Sequence, residues 1–227
     1  MSKAILLGAL LALAPGSSVA AAEEGRSVIH ERAEDVQPLL PGMRPPAFTL
    51  RDATGQPVAF DPDGLKKPLI ITFFRGGWCP YCNLHLAELR HAEAELKSMG
   101  FDLWFISVDR PEKLYASLED PEIGYVVYSD AELQASRAFG IAFRVADEVV
   151  ARYREYGVDL EDAAGQAHHV LPAPSTYLIG ADGVIRFQYT NPDYTHRLHP
   201  DVLLAAARVY RDDLDARLRR AYEARQE

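Results

Sequence analysis

The pattern of apolar and polar residues predicts a chain of alternating strands and helices. A nearly all-apolar run at residues 69–74 is rich in β-branched and aromatic side chains, which indicates a central strand covered on both faces. Leucine and alanine then recur at helical spacing over residues 80–98, which predicts a helix with one buried stripe. A second apolar run follows at residues 101–108. Strands that alternate with helices in this way are typical of an α/β layered domain.

Shorter elements complete the prediction. Two short strands, residues 48–50 and 58–60, flank a turn and predict an N-terminal hairpin. Residues 141–170 are less regular and are predicted to be an insertion with a helix around 147–156. The other predicted elements are a helix at 111–118, a strand at 125–128, a helix at 130–139, a hairpin of strands 176–179 and 184–189, and a long C-terminal helix from about residue 200. The closing hairpin makes the predicted sheet mixed.

The first residues have the composition of a secretory signal peptide. Lys3 precedes an apolar run at residues 4–14, and small residues occupy 19–22. The run is well short of the roughly 20 residues that a bilayer requires. We therefore predict cleavage near Ala20 or Ala22, a periplasmic or secreted mature protein, and no membrane span after cleavage. Residues 23–45 are predicted to be a linker, and 46–227 a single domain.

Charge and cysteine content exclude several classes of function. The chain has 24 Lys and Arg against 33 Asp and Glu, a formal net charge of −9. An acidic chain without a basic run repels phosphate backbones, so no nucleic-acid partner is expected. Two cysteines cannot form a disulfide-rich scaffold or a four-cysteine zinc site.

The two cysteines are the strongest functional signal. Residues 78–82 read Trp-Cys-Pro-Tyr-Cys and lie between the central strand and the first long helix. Cys79 falls at the start of that helix, where unpaired backbone N–H groups and the helix dipole stabilise a thiolate and lower its pKa. Such a thiolate attacks a disulfide or a peroxide, and Cys82, one turn later, resolves the product by forming a disulfide. We predict that Cys79 and Cys82 are the catalytic pair and that no cofactor is required.

Two other interpretations of the pair stay open. A purely structural disulfide is one, although so short a loop gains little from constraining the unfolded chain. A metal site is the other, with His85 as a third ligand or with His168 and His169 approaching from elsewhere in the fold. Our main prediction, a redox-active dithiol, assigns no residue as a metal ligand.

Residues 73–82 resemble the strand–Trp-Cys-x-x-Cys–helix signature of the thioredoxin superfamily, and Cys-Pro-Tyr-Cys is the dithiol of glutaredoxins. Residues 46–55, 172–179 and 191–195 are more similar to the peroxiredoxin-like branch, the alkyl hydroperoxide reductase/thiol-specific antioxidant family. The resemblance covers roughly residues 45–215. It implies a thioredoxin-like fold with a central mixed β-sheet flanked by helices, an N-terminal hairpin and a long C-terminal helix.

The resemblance also suggests which residues position a substrate. Thioredoxin-fold oxidoreductases have a cis-proline that faces the dithiol, and the matching position implies a cis bond between Ala173 and Pro174. Trp78 and Tyr81 are predicted to form an apolar rim for partner chains. Typical peroxiredoxins also have a Pro, a Thr and an Arg around the peroxide, but those positions hold Thr72, Gly76 and Pro174 here. Arg75 is the candidate replacement for the missing arginine.

These departures favour disulfide exchange over fast peroxide reduction. The predicted function is an extracytoplasmic thiol–disulfide oxidoreductase with a role in redox homeostasis, acting on protein thiols or disulfides. The alternative is a peroxidase that reduces hydroperoxides with Cys79 and is recycled by an external thiol reductant. A copper-binding metallochaperone that uses the cysteines with His168 or His169 is the third possibility.

Overall fold

A computed structural model describes residues 28–115, 126–211 and 220–226 of the chain. The predicted signal peptide, residues 1–22, lies outside the described residues. Within the described parts of the chain, no helix has both the length and the apolar composition that a membrane span requires.

Seven strands form one mixed sheet, and two more form a small separate ribbon. The strands are β1 Phe48–Arg51, β2 Pro57–Phe60, β3 Leu69–Phe73, β4 Asp102–Ser107, β5 Val126–Ser129, β6 Ala142–Arg144, β7 Val170–Pro172, β8 Ser175–Ile179 and β9 Ile185–Thr190. The large sheet has the order β2-β1-β5-β4-β3-β8-β9, and β6 pairs with β7. Since β3 is parallel to β4 but antiparallel to β8, the predicted mixed sheet is confirmed.

Helices cover both faces of this sheet. They are α1 Pro80–Ser98, α2 Gln134–Ala138, α3 Asp147–Glu155, α4 Leu160–Ala164 and α5 Pro200–Arg211, with short 3-10 helices at Ala33–Asp35 and Pro111–Lys113. The buried stripe of α1, including Leu86 and Leu89, packs in one apolar cluster with Leu203 and Ala207 of α5. All five residues of β3 are buried between this cluster and a second one on the opposite face of the sheet.

Two predicted helices differ in extent. The helix predicted from Asp130 begins at Gln134, because Leu133 adopts a left-handed conformation (φ 59°). The Asp130 carboxylate nevertheless caps it by accepting hydrogen bonds from the backbone N–H groups of Ala135 and Ser136. The helix predicted at 111–118 is a 3-10 turn at Pro111–Lys113, and its last residues lie outside the described part of the chain.

The segment predicted as a linker packs against the domain wherever the structure describes it. The backbone N–H groups of His30 and Gln37 donate to the carbonyl groups of Ala142 and Gly140. Leu39 is buried in the core cluster on the side of the sheet opposite α1. Ile29, Val36 and Met43 also pack against apolar clusters of the core, and backbone hydrogen bonds hold much of the rest of the segment in place.

The predicted cis bond before Pro174 was wrong. No peptide bond among the described residues is cis. Pro174 lies between β7 and β8, where the Ala173 N–H donates to the Ile141 carbonyl at 2.8 Å and the Pro174 carbonyl accepts from the Asn191 N–H at 3.2 Å. Extended backbone on both sides of the bond accommodates the trans form that X–Pro bonds ordinarily favour.

Candidate active site

The two cysteines lie where the central strand passes into α1. After β3 ends at Phe73, residues 74–78 cross the carboxyl edge of the sheet, and Cys79 occupies the N-cap position of α1. Pro80 is the first helical residue, where its missing N–H costs nothing. The Cys79 carbonyl accepts the N–H groups of Cys82 and Asn83, so the dithiol spans the first turn of the helix.

The two thiols have opposite protonation preferences. A hydrogen bond from the Cys82 thiol is the main cause that lowers the pKa of Cys79 to about 6, and the charges of Arg75 and Arg197 add to it while burial opposes it. Burial raises the pKa of Cys82 well above its ordinary value. Near neutral pH, Cys79 is therefore the thiolate and Cys82 the thiol. This is the division of roles expected of a nucleophile and a resolving cysteine.

Arg75 is a buried cation directed at the sulfur of Cys79. It is only 4% exposed, and its Nη1 lies 3.8 Å from Sγ of Cys79. Its Nη2 donates to the Tyr153 hydroxyl, and the rings of Trp78, Tyr153 and Tyr194 surround the guanidinium carbon, Tyr194 at 4.0 Å. In the described part of the chain no carboxylate forms an ion pair with Arg75. Its charge therefore acts on the sulfur of Cys79.

A second arginine approaches the other sulfur. Nη2 of Arg197, in the loop between β9 and α5, lies 3.5 Å from Sγ of Cys82. The next residue, Leu198, is buried, and its carbonyl accepts a hydrogen bond from Nε2 of His85 at 3.1 Å. Burial and the charge of Arg197 lower the pKa of His85 to about 4, so this imidazole is neutral and fixes the loop against α1.

A buried carboxylate supports the loop that leads to Cys79. Oδ2 of Asp109 accepts hydrogen bonds from the Gly77 N–H at 2.8 Å and from the Ser107 hydroxyl at 3.1 Å. Burial raises the pKa of Asp109 to about 6. A Cβ at Gly76 would collide with the Trp78 indole nitrogen and lie 2.8 Å from Oδ1 of Asp109. This crowding explains why glycine occupies the position where typical peroxiredoxins have threonine.

The residues predicted to position a substrate lie around the dithiol. Trp78 is half-buried and packs on Tyr153, whereas Tyr81 is 45% exposed and packs edge-to-face on Tyr194. Pro174 is buried and precedes Ser175, which pairs with Phe73 at the end of β3. The backbone of Pro174 is thus at the sheet edge from which the Cys79 loop departs.

The histidines considered as metal ligands have other partners. His85 donates to the Leu198 carbonyl, His168 contacts the Ala131 carbonyl at 3.2 Å, and His169 contacts Glu161 at 2.8 Å. Across residues 28–115, 126–211 and 220–226, no group of three or more His, Cys, Asp or Glu side chains is arranged to hold a metal ion.

Three residues of the site were missed by the sequence analysis: Tyr153, Tyr194 and Arg197. Tyr153 comes from the helix of the insertion, and the other two from the loop after β9. Tyr194 belongs to the 191–195 segment that resembles the peroxiredoxin-like branch, which was a weak signal for the loop. No local pattern distinguishes Tyr153 or Arg197 from surface residues.

Residues 41–188 match the AhpC/TSA family. Peroxiredoxin Bcp of Escherichia coli (strain K12) is 31% identical over 106 residues, which cover 47% of this chain and 67% of that protein. Chloroplastic peroxiredoxin Q of Sedum lineare is 24% identical over 150 residues, 66% of this chain and 68% of that protein. The crystal structure of peroxidoxin BcpB from Mycobacterium tuberculosis superposes with a TM-score of 0.57 at 20% identity, over 74% of this chain and 96% of that one. The chain belongs to the AhpC/TSA family and is a peroxiredoxin-like member of the thioredoxin superfamily.

Proposed function

We propose that this protein is a thiol-dependent peroxidase that reduces hydroperoxides with Cys79. The observation that carries the proposal is the Cys79 sulfur, whose pKa is lowered to about 6, facing the buried Arg75 guanidinium at 3.8 Å. Family membership and the peroxiredoxin names of its relatives support the peroxidase, which was the alternative prediction, over general thiol–disulfide exchange.

The first step oxidises Cys79. Its thiolate attacks one peroxide oxygen, the O–O bond breaks, and the products are a sulfenic acid on Cys79 and an alkoxide that takes a proton from water. Negative charge develops on the leaving oxygen, and donors aimed at such charge lower the barrier. Arg75 supplies these donors in place of the Thr and Arg found in typical peroxiredoxins.

The second step returns the enzyme to its starting state. The Cys82 thiol attacks the sulfenic sulfur, water leaves, and a Cys79–Cys82 disulfide forms. An external thiol reductant then supplies two electrons and restores both thiols. The net reaction converts one hydroperoxide and two reductant thiols into an alcohol, water and a disulfide.

A test compares peroxide reduction with disulfide reduction on one preparation. Reduced protein is mixed with hydrogen peroxide or cumene hydroperoxide, and separately with insulin, with dithiothreitol as the reductant. We expect the second-order rate constant with peroxide to be about a hundredfold or more above that of free cysteine. A well-placed set of hydrogen-bond donors to the developing negative charge contributes a factor of that size. Cys79→Ser abolishes the reaction, whereas Cys82→Ser allows one oxidation without disulfide formation.

Thiol–disulfide exchange is the second candidate function. It is favoured by the Cys-Pro-Tyr-Cys sequence at a helix start and by Gly76 in place of the peroxiredoxin threonine. A peroxide rate equal to that of free cysteine, combined with rapid insulin reduction that depends on Cys79, would reject the peroxidase in favour of this exchange function.

We also propose that the mature protein is extracytoplasmic, periplasmic or secreted, because residues 1–22 have signal-peptide composition. The full chain is expressed in a bacterial host, the cells are fractionated, and the N-terminus is sequenced. Cleavage after Ala20 or Ala22 with recovery outside the cytoplasm is expected. Recovery of the uncleaved chain in the cytoplasm rejects this location.

A further inference from the structure

We propose that Arg197 is a catalytic residue of the recycling step, in which its guanidinium stabilises the Cys82 thiolate that leaves when an external thiol opens the Cys79–Cys82 disulfide. The inference deepens the proposed function, because that function makes the disulfide an obligatory intermediate. It also gives the two arginines different roles. Arg75 assists the oxidation of Cys79 by peroxide, and Arg197 assists the release of Cys82 when the disulfide is reduced.

The contacts of Arg197 direct its charge at the sulfur. Nη2 lies 3.5 Å from Sγ of Cys82, and Nη1 donates to the His196 carbonyl at 3.4 Å. Nε is buried and has no hydrogen-bond partner. Among the described residues no carboxylate forms an ion pair with Arg197. A half-buried cation whose charge no acid neutralises is available to an anion formed on Cys82.

Cys82 needs such a partner because it is a poor leaving group. Its side chain is fully buried, and burial raises the pKa of its thiol. Thiols with a high pKa leave slowly in disulfide exchange, and a thiolate formed away from water has no solvent to stabilise it. A positive charge in contact with the sulfur offsets both effects.

The fold holds Arg197 in this position. Leu198 is buried in the same apolar cluster as both cysteines, and its carbonyl accepts the hydrogen bond of His85. His85 lies three residues after Cys82 on α1, so the helix that carries the sulfur also anchors the loop that carries the guanidinium. His85 is therefore a positioning residue for Arg197.

Recycling consumes two reductant thiolates, one for each of the two sulfur–sulfur bonds that break. A reductant thiolate attacks Sγ of Cys79, which is buried but is followed in the chain by the exposed residues Pro80 and Tyr81. The Cys79–Cys82 bond breaks, a mixed disulfide forms on Cys79, and the electron pair stays on Cys82 as a thiolate beside Arg197. A second reductant thiolate attacks the reductant sulfur of the mixed disulfide and releases Cys79 as a thiolate. Cys82 then takes a proton from water.

The experiment measures the two half-reactions separately on the full chain. The disulfide is formed with diamide, so that its preparation does not depend on peroxide activity, and its reduction by dithiothreitol is followed by alkylation of the released thiols. Oxidation of the reduced protein by hydrogen peroxide is timed in parallel. The variants are Arg197→Gln, Arg197→Met and Arg197→Lys, with Arg75→Gln for comparison. Arg208→Gln removes the same charge from the ion pair that Arg208 of α5 forms with Glu95, and is the matched control.

We expect both neutral variants at position 197 to slow reduction by about tenfold, since exchange rates depend on the stability of the leaving thiolate. Their loss in the peroxide step is smaller, because Arg75 affects the pKa of Cys79 more than Arg197 does. Arg75→Gln should lose more of the peroxide oxidation rate than of the disulfide reduction rate. Arg197→Lys should retain most of the reduction rate. Arg208→Gln should match the wild type in both half-reactions.

Three outcomes overturn the inference: reduction at the wild-type rate in the neutral variants, equal losses in both half-reactions, or a loss in Arg197→Lys as large as in Arg197→Gln. The last outcome would mean that the packing of the Arg197 side chain, and not its charge, supports the reduction rate. Circular dichroism identifies a variant that does not fold, and Arg197→Met retains much of the side-chain stem if Arg197→Gln fails. A protein inert to peroxide rejects the proposed function, yet the reduction of the diamide-formed disulfide still tests Arg197.

Discussion

The guanidinium carbon of Arg75 lies 4.0 Å from the centre of the Tyr194 ring. With Trp78 and Tyr153, this ring encloses the cation that faces Cys79. Aromatic faces attract cations without neutralising them, whereas a carboxylate would pair with the guanidinium. The cage therefore orients Arg75 and leaves its charge available to the sulfur.

Removing the Tyr153 hydroxyl is expected to weaken peroxide reduction by several-fold. Tyr153→Phe retains the ring but loses the acceptor for Nη2 of Arg75, so the guanidinium is held less firmly against Cys79. The second-order rate constant with hydrogen peroxide measures the effect. Tyr156→Phe is the matched control, because Tyr156 lies just after the same helix and is 74% exposed. Equal rates in both variants contradict a positioning role for Tyr153.

The reactivity of Cys79 is expected to follow a pKa of about 6. The rate of alkylation by iodoacetamide should rise as pH passes through 6 and become constant above about pH 7, since only the thiolate reacts. Cys82→Ala removes the hydrogen bond that contributes most to the lowering, so the midpoint should move toward the ordinary thiol value. An unchanged midpoint in that variant assigns the low pKa to the arginines instead.

Gly76→Ala is expected to destabilise the protein more than a comparable glycine substitution. The new methyl group would collide with the Trp78 indole and crowd Asp109, and the cost of overpacking adds to that of a positive φ, at least about 2 kcal/mol in all. At Gly55 the φ is also positive (79°, against 157° at Gly76), but no atom lies within 4 Å of where the methyl group would be, so Gly55→Ala has a backbone cost of about 1 kcal/mol without a clash. Urea unfolding measures both, and equal losses contradict the steric argument.

Asp109 should make stability depend on pH. Its pKa is about 6 in the folded protein against 3.8 for an ordinary Asp, so its stabilising contribution is complete below pH 3.8 and is lost as pH rises through 6. Asp109→Asn does not titrate and can still accept the Gly77 N–H. The free energy of unfolding of Asp109→Asn, taken relative to that of the wild type, should therefore increase as pH rises from 4 to 7, by at most about 3 kcal/mol.

The difference in unfolding free energy between the wild type and Asp109→Asn reports the titration of Asp109 alone. Asp130 has a pKa raised to about 6 by burial, and His85 a pKa lowered to about 4, so they shift stability in opposite directions over this range. Both residues are present in wild type and variant, and their contributions cancel in the difference. A difference in unfolding free energy that stays constant from pH 4 to 7 contradicts the raised pKa of Asp109.

The strands and helices that determine the site were predictable because their signals are local. The apolar run of β3 and the helical period of α1 predicted these elements to within one residue, and the spacing of Cys79 and Cys82 located the dithiol between them. Arg75 was identified because it lies four residues before Cys79. Each of these inferences requires only neighbouring residues.

The rest of the site depends on tertiary packing. Tyr153 meets Arg75 across 78 residues, and Arg197 meets Cys82 across 115, through an insertion and a loop with no regular pattern. The incorrect cis bond at Pro174 came from resemblance rather than from local physics, and the backbone hydrogen bonds on either side of it accommodate a trans bond. The packing of residues 28–45 was missed because their apolar residues follow neither a helical nor a strand period, and the main-chain hydrogen bonds that hold the segment leave no mark in the sequence.

The packing of Trp78 against Tyr153 beside Arg75 gives the protein a built-in optical probe. The chain has two tryptophans, and the other, Trp104, lies on β4 against Tyr128. Replacing Trp104 with Phe would leave a single indole, that of Trp78, next to Cys79 in the sequence. Emission from that indole would then report changes in the charge and oxidation of Cys79 in real time, without any dye attached to the protein.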